Sequence, residues 1–313
     1  MRAGKKQKLG LALGSGAARG LAHIGVLQAL AEAGWAPSVV AGTSAGALVG
    51  GLFAAGKLAE FEAVVRGLDW KQAARFFLEV SFPRSGLIEG TKITEFLAKL
   101  AGRRRIQDLP VVFAAVAADI SSGREVLLGE GDLVAAIRAS IAVPGIFTPV
   151  KRRDDLLVDG GLVNPVPVNV CRVLGAEYVI AVDLNRGRLR DHRSAADGGE
   201  GRAGAVSPRA GDGAEAILQW LEDRAGRLDA RILTQVRAWA ERRAMPNIFD
   251  VLGNSLRIME SQIAAARLKA EPPDLLLRPR VGHVQFLEFH RAEELIEEGY
   301  RATKEALAAG LPV

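Results

Sequence analysis

The pentapeptide Gly42-Thr43-Ser44-Ala45-Gly46 has the pattern G-x-S-x-G and lies between an apolar stretch, Ser38 to Ala41, and a run of small residues, Ala45 to Ala55. In that setting a serine is forced onto a tight turn with its hydroxyl exposed, which makes Ser44 a candidate nucleophile for acyl transfer. Glycine at 42 and 46 has a steric reason: side chains there would collide as a strand reverses into a helix. A helix starting after Ser44 adds free amides and a positive dipole end, which favour an alkoxide or a developing oxyanion. The pentapeptide also reads as small residues that permit tight strand and helix packing, and by itself it does not separate the two.

A serine hydroxyl needs a base. Of the four histidines, His192 falls in a polar stretch, and His283 and His290 flank Phe286 and Phe289 near the end of the chain. His23 sits in the first turns of a helix and stays open as a base, although none of the four has a recognisable catalytic context. A better base is the carboxylate of Leu156-Leu157-Val158-Asp159-Gly160-Gly161, where an aspartate ends an apolar strand and glycines follow. Aspartate is also common in plain turns. At the carboxyl end of a strand, however, it lies where α/β sheets gather their sites, on the edge where Ser44 would open. A direct Ser44 and Asp159 dyad is feasible.

The third element is the turn Gly14-Ser15-Gly16-Ala17-Ala18-Arg19-Gly20. Its backbone amides suit either a phosphate cradle or an oxyanion hole. The spacing argues against the first: position 19 is Arg, so G-x-G-x-x-G is not met, and the Gly-Lys-Ser/Thr of a nucleotide-phosphate loop is missing. The second strand also runs straight into Gly42-Thr43-Ser44 with no acidic ribose anchor.

These three motifs need elements to hold them. Leu9–Leu13 reads as a buried strand, Gly14 to Gly20 as a turn, and Leu21 to Ala33 as a helix whose Leu21, Ile24, Leu27 and Leu30 share a face. Strand 38–41, the turn at Ser44 and helix 45–55 repeat that unit. Further strands are expected at 111–117, 125–128, 156–158, 178–182 and 275–277, with helices at 92–100, 133–141, 214–244, 248–269 and 292–309. Strands alternating with helices predict an α/β layered fold with a largely parallel central sheet. Residues 9–173 would form the catalytic core and 174–313 an extension of the same globule. Residues 186–213, almost all Arg, Gly, Ala, Asp and Ser, have too little apolar surface to order themselves and are expected to be a disordered loop.

Composition narrows the classes. With 41 Lys and Arg against 36 Asp and Glu, the net charge of +5 is too small and dispersed to imply nucleic acid. Cys171 is the single cysteine, so neither an intramolecular disulfide nor a cysteine metal cluster is available and a reducing cytosol fits. The apolar run after the basic start is too short for a secretion signal, and Ala45 to Gly56 is too short to cross a bilayer. A cytoplasmic protein, touching membranes only at their inner surface if at all, is expected.

In this order the three motifs resemble the patatin-like phospholipase family. Arg19 to Leu27, Ile137 to Ser140 with Pro144-Gly145, Val158 to Pro167, and Leu275 to Glu298 look like its bacterial cytosolic members. The resemblance implies Ser44 as nucleophile and Asp159 as general base, with no histidine. The amides around Ser15, Gly16 and Ala17 would hold the oxyanion, with Arg19 and Gly20 in the same loop. Family members usually carry three glycines where this chain has Ser15-Gly16-Ala17. Asp159 would take the Ser44 proton during attack on a lipid or other carboxylic ester and return it to water in deacylation. No metal or organic cofactor is required. Arg19 would either brace the loop against carbonyls or meet an anionic head group. Phe76, Phe77, Leu78 and Phe82 read as core, or as acyl-channel or membrane contacts. The competing functions are a triad hydrolase using His23, a catalytically weak binding or regulatory protein on the same fold, and a nucleotide-binding oxidoreductase.

Overall fold

The computed structural model describes residues 7–68, 89–185 and 248–309. The chain divides into two compact units, residues 1–190 with 252–313 and residues 191–251; of the second, only 248–251 are among those described, so the architecture below is that of the first.

Along the chain run β1 (Leu9–Leu13), a short 3-10 helix (Ala17–Leu21), α1 (Ala22–Glu32), β2 (Val39–Thr43), α2 (Ala45–Ala54) and α3 (Leu58–Arg66). Next come α4 (Thr91–Ala101), β3 (Val112–Asp119), β4 (Glu125–Leu128), α5 (Leu133–Ser140), β5 (Val150–Arg152) and β6 (Asp155–Asp159). Then follow α6 (Val168–Val173), β7 (Tyr178–Val182), α7 (Ile248–Ala270), β8 (Leu275–Leu277) and α8 (Ala292–Ala308).

The strands form one sheet in the order β5-β6-β3-β2-β1-β7-β8, with β4 also on β3. Strands β3, β2, β1, β7 and β8 are mutually parallel, β4 and β6 run the other way against β3, and β5, antiparallel to β6, runs with β3. The period of two along each strand divides the core. Leu11, Leu13, Val40, Phe113 and Ile180 pack with Ile24, Leu27, Leu52 and Ile137 of the helices on one face. Ala12, Ala41, Ala114 and Ala181 pack with Val168, Val170, Ala264 and Leu268 on the other. The larger side chains carry most of the stabilisation, about 1.5–3 kcal/mol for each Leu, Ile or Phe taken fully out of water. All four members of the expected α1 stripe, Leu21, Ile24, Leu27 and Leu30, are buried.

One detail of pairing brings the two distant motifs together. Ala115 pairs with Gly42 of β2 and with Leu128 of β4, and Ala117 pairs with Asp159 of β6 and with Val126 of β4. A strand has two edges, and β4 takes one of them continuously, so β2 and β6 must share the other, meeting end to end. Thr43 stands opposite Val116 and Asp159 opposite Ala117. Gly160 makes the junction sterically feasible, since a Cβ there would lie 2.2 Å from the Val116 carbonyl oxygen.

Elsewhere α1 and α8 cross so closely that a Cβ on Gly25 would lie 1.8 Å from the Ile296 carbonyl oxygen, and one on Gly299 1.9 Å from that of Ala22. The expected α/β layering is present and the central sheet is mostly parallel. Three short elements, α3, β5 and α6, fall where no regular structure is expected from the pattern, because α6 and β5 are too short to show a period. The first helix also begins earlier than Leu21, as a 3-10 turn inside the glycine loop. The expected loop at 186–213, the helix at 214–244 and the cluster Phe76, Phe77, Leu78 and Phe82 lie outside the described residues, as does His192.

Candidate active site

Strand β2 delivers Ser44 onto a turn of φ 56° and ψ −121°, a conformation that a residue with a Cβ adopts only when its surroundings hold it there. They do so on both sides. The Ser44 amide donates to Ser140 Oγ at 2.9 Å, and that hydroxyl donates to the Val116 carbonyl at 2.6 Å. Thr43 Oγ1 donates to the Asn164 carbonyl at 2.8 Å. Helix α2 can follow at once because a Cβ on Gly42 would meet the Gly46 carbonyl oxygen at 2.3 Å, and one on Gly46 the Leu13 carbonyl oxygen at 2.0 Å.

Ser44 Oγ donates to Asp159 Oδ2 at 2.5 Å. The other oxygen, Oδ1, accepts the Gly161 amide at 2.7 Å, so the carboxylate is held at one end and presented to Ser44 at the other. Both residues are buried. The aspartate ends an antiparallel strand rather than a parallel one, which departs from the strand-end argument made from sequence; it reaches the site because β6 abuts the end of β2. Burial pushes its carboxyl up to about 7, the negative charge of Glu260 adds to the rise, and the hydrogen bonds from Ser44 and Gly161 oppose it.

The loop after β1 forms the third wall. Its first peptide is tied at both ends: His23 Nε2 donates to the Gly14 carbonyl at 2.8 Å, and the Ser15 amide donates to the Pro165 carbonyl at 2.8 Å. Of the three amides expected to face an oxyanion, that of Ser15 is therefore already committed. Those of Gly16 and Ala17 have no protein acceptor among the described residues. Arg19, 3% exposed, donates from Nε to the Gly16 carbonyl at 3.1 Å. Because the carbonyl and amide of one peptide point in opposite directions, this bond aims the Ala17 N–H away from Arg19. Ala17 itself sits at φ 50°. The Arg19 side chain is thus buried against the loop, and burial lowers its guanidinium to about 10. Gly20 lets the loop lie on α2, where a Cβ would be 2.2 Å from that of Ala45.

Ser44, Asp159 and Ala17 line one narrow cleft, walled by Val143, Leu162, Leu256 and Phe286. The described histidines do not line it. His23 is wholly buried with Nε2–H bonded to the Gly14 carbonyl, and burial, against that bond, lowers it to about 4. His283 pairs with Glu294 at 2.6 Å on the surface, and His290 is exposed.

Glu260, on α7, also lines the cleft, and no motif singles it out. The signal is present in the spacing: Leu252, Leu256, Glu260, Ala264 and Leu268 recur every fourth residue, so the glutamate lies on the stripe that faces inward. Burial raises its carboxyl above the usual range, and Arg19, Ser15 and Asn185 counter the rise. Ser140 is a second residue without a prior sequence role, although it lies in the segment 137–140 that carries part of the resemblance.

A family model, that of patatin-like phospholipases, matches residues 11–172. An uncharacterized NTE family protein of Mycobacterium tuberculosis is 34% identical over 99% of this chain and 94% of its own length. A patatin-like phospholipase domain-containing protein of Caenorhabditis elegans is 38% identical over 56% of this chain and 13% of its own. The crystal structure of VipD from Legionella pneumophila aligns with TM-score 0.47 and 14% identity over 97% of this chain and 67% of that one. Among the described residues no helix is long and apolar enough to cross a membrane.

Proposed function

The chain belongs to the patatin-like phospholipase family, a family of lipid hydrolases, and from that premise we propose that it is a serine acyl hydrolase of lipid or other carboxylic esters, using Ser44 and Asp159. The observation that carries the reading is the 2.5 Å hydrogen bond from Ser44 Oγ to Asp159 Oδ2, made beside two amides with no protein acceptor among the described residues.

In this mechanism Asp159 accepts the proton of Ser44 as Oγ attacks the ester carbonyl carbon. The carbonyl oxygen takes the negative charge, and the amides of Gly16 and Ala17 stabilise it. As the intermediate collapses, Asp159 returns the proton to the departing alkoxide and an acyl-serine remains. Water then gives its proton to Asp159 and attacks the acyl carbon; the proton passes back to Ser44 Oγ as the acid is released. A carboxyl near 7 suits both halves, being basic enough to accept and acidic enough to return a proton. The apolar walls Val143, Leu162, Leu256 and Phe286 suit the acyl portion of the substrate.

The test is labelling with a fluorophosphonate followed by peptide mapping, with ester turnover measured in Asp159→Asn. Label on Ser44 and a fall in turnover of about 10²–10⁴-fold are expected. Label on another residue, or undiminished turnover in the Asn variant, would overturn the dyad.

A further inference from the structure

Glu260 lies outside the segment matched by the family model, 11–172, and yet it touches two of the three motifs at once. Its Oε2 accepts a hydrogen bond from Ser15 Oγ at 2.9 Å. Its Oε1 occupies the space over Gly161, where a Cβ would be 2.4 Å away and only 3.1 Å from Asp159 Oδ1. Ser15 is one of the positions at which this chain departs from the run of glycines usual in the resembling family, and its hydroxyl is fully used. It donates to Glu260 and accepts from Asn185 Nδ2 at 2.9 Å. Asn185 Oδ1 in turn accepts from Arg19 Nη2 at 3.4 Å, and Arg19 holds the Gly16 carbonyl. The side chains of Glu260, Asn185 and Arg19 therefore form a chain of contacts around the Ser15-Gly16-Ala17 segment, whose amide at Ser15 is pinned by Pro165.

We propose that Glu260 is a positioning residue of the hydrolase site, holding the oxyanion loop through the Ser15 hydroxyl from a place beside the Asp159 turn. The inference rests on the esterase reading above and adds to it helix α7, which lies outside the matched segment, as a working part of the site. The charged groups facing Glu260 are Arg19 from the loop and Asp159 from the end of β6; Arg257 on its own helix and Asp183 after β7 act on Arg19. A negative charge at Glu260 raises the Asp159 carboxyl, so removing that charge lowers it.

The experiment is a double-mutant cycle between Ser15→Gly and Glu260→Ala, with Glu260→Gln as the isosteric third variant and thermal melting of each. If Glu260 acts through Ser15, Glu260→Ala lowers kcat by about 10- to 100-fold with little change in KM, as a loop misplaced by a fraction of its hydrogen-bond length would. The same change in the Ser15→Gly background costs clearly less. Glu260→Gln keeps an acceptor for Ser15 but not the charge, so its kcat at high pH stays within a few-fold of wild type and the acid limb of kcat moves to lower pH. Additive effects in the cycle, together with an unmoved acid limb in the Gln variant, would overturn the proposal. Because Glu260→Gln preserves shape, it carries the test even where the Ala variant fails to fold. Ser44→Ala, measured alongside, separates the two ideas. Turnover that survives it removes the esterase reading; turnover abolished by it, with an additive cycle, removes the role of Glu260 alone.

Discussion

The Ser44 turn and the crossing of α1 with α8 use the same steric device. In both, a Cβ added to glycine would fall about 2 Å from a carbonyl oxygen, of Leu13 for Gly46 and of Ala22 for Gly299. The outcomes differ. At the helix crossing both backbones stay within regular helices, and the closeness contributes packing together with side-chain contacts such as those of Tyr300 and Lys304 with Glu32. At the turn, Ser44 and Ala17 are held at positive φ, and the amides of Gly16 and Ala17 are left without a protein acceptor among the described residues. Close approach is thus a general means of packing. What distinguishes the site is strain retained and hydrogen bonds left unmade, and both need rigid surroundings.

Substituting the two glycines is the sharpest way to break that comparison. Gly46→Ala pushes on the Leu13 carbonyl at the root of the oxyanion loop and is expected to lower kcat by about 10²-fold in the folded protein, besides an overpacking cost of about 1–3 kcal/mol. Gly299→Ala should show a destabilisation of the same order with kcat per folded molecule unchanged. Melting curves and active-site titration check both, and equal losses of kcat in the two variants would remove the distinction.

The pH dependence sharpens it further. The Asp159 carboxyl is raised from 3.8 to about 7 in the folded state, so between those values the folded protein binds more protons than the unfolded chain. Its contribution to stability is then present below about 4 and is lost as pH rises toward about 7. Asp159→Asn removes this loss, and its stability relative to wild type should increase from pH 5 to pH 8 in denaturant titrations. Turnover should fall on the acid side of about 7, where Asp159 becomes protonated. His23, lowered to about 4, stays neutral across that range and does not contribute to the limb.

The smallest effect concerns Ala17. Its φ of 50° is costly for a residue with a Cβ, so Ala17→Gly should relieve about 1 kcal/mol of strain, partly offset by the greater freedom of glycine when unfolded. A measured destabilisation beyond about 1 kcal/mol would mean that the Ala17 methyl packs more tightly than its place at the cleft wall implies.

Much of this was legible from local pattern. Strands 9–13, 125–128, 178–182 and 275–277 fall where apolar runs bounded by turns place them. Ser44 follows from two glycines and a strand followed by a helix. The direction of β6 was not legible, because a short apolar run has the same appearance in either direction. Nor was the work of the Ser15 side chain, which bridges Asn185 and Glu260, 170 and 245 residues away in the chain.

By itself the sequence determined the pieces, namely which residues must turn tightly, which faces must be buried, and which side chains are candidates for nucleophile and base. Those follow from sterics and from periods of two and 3.6, which act over a few residues. Only the tertiary structure decided that β2 and β6 share one edge of β3, that the Ser15 amide is spent on Pro165, and that a glutamate from α7 stands beside Asp159. Strand pairing and the electrostatics of buried groups depend on which distant atoms displace water from one another, and no local pattern encodes that.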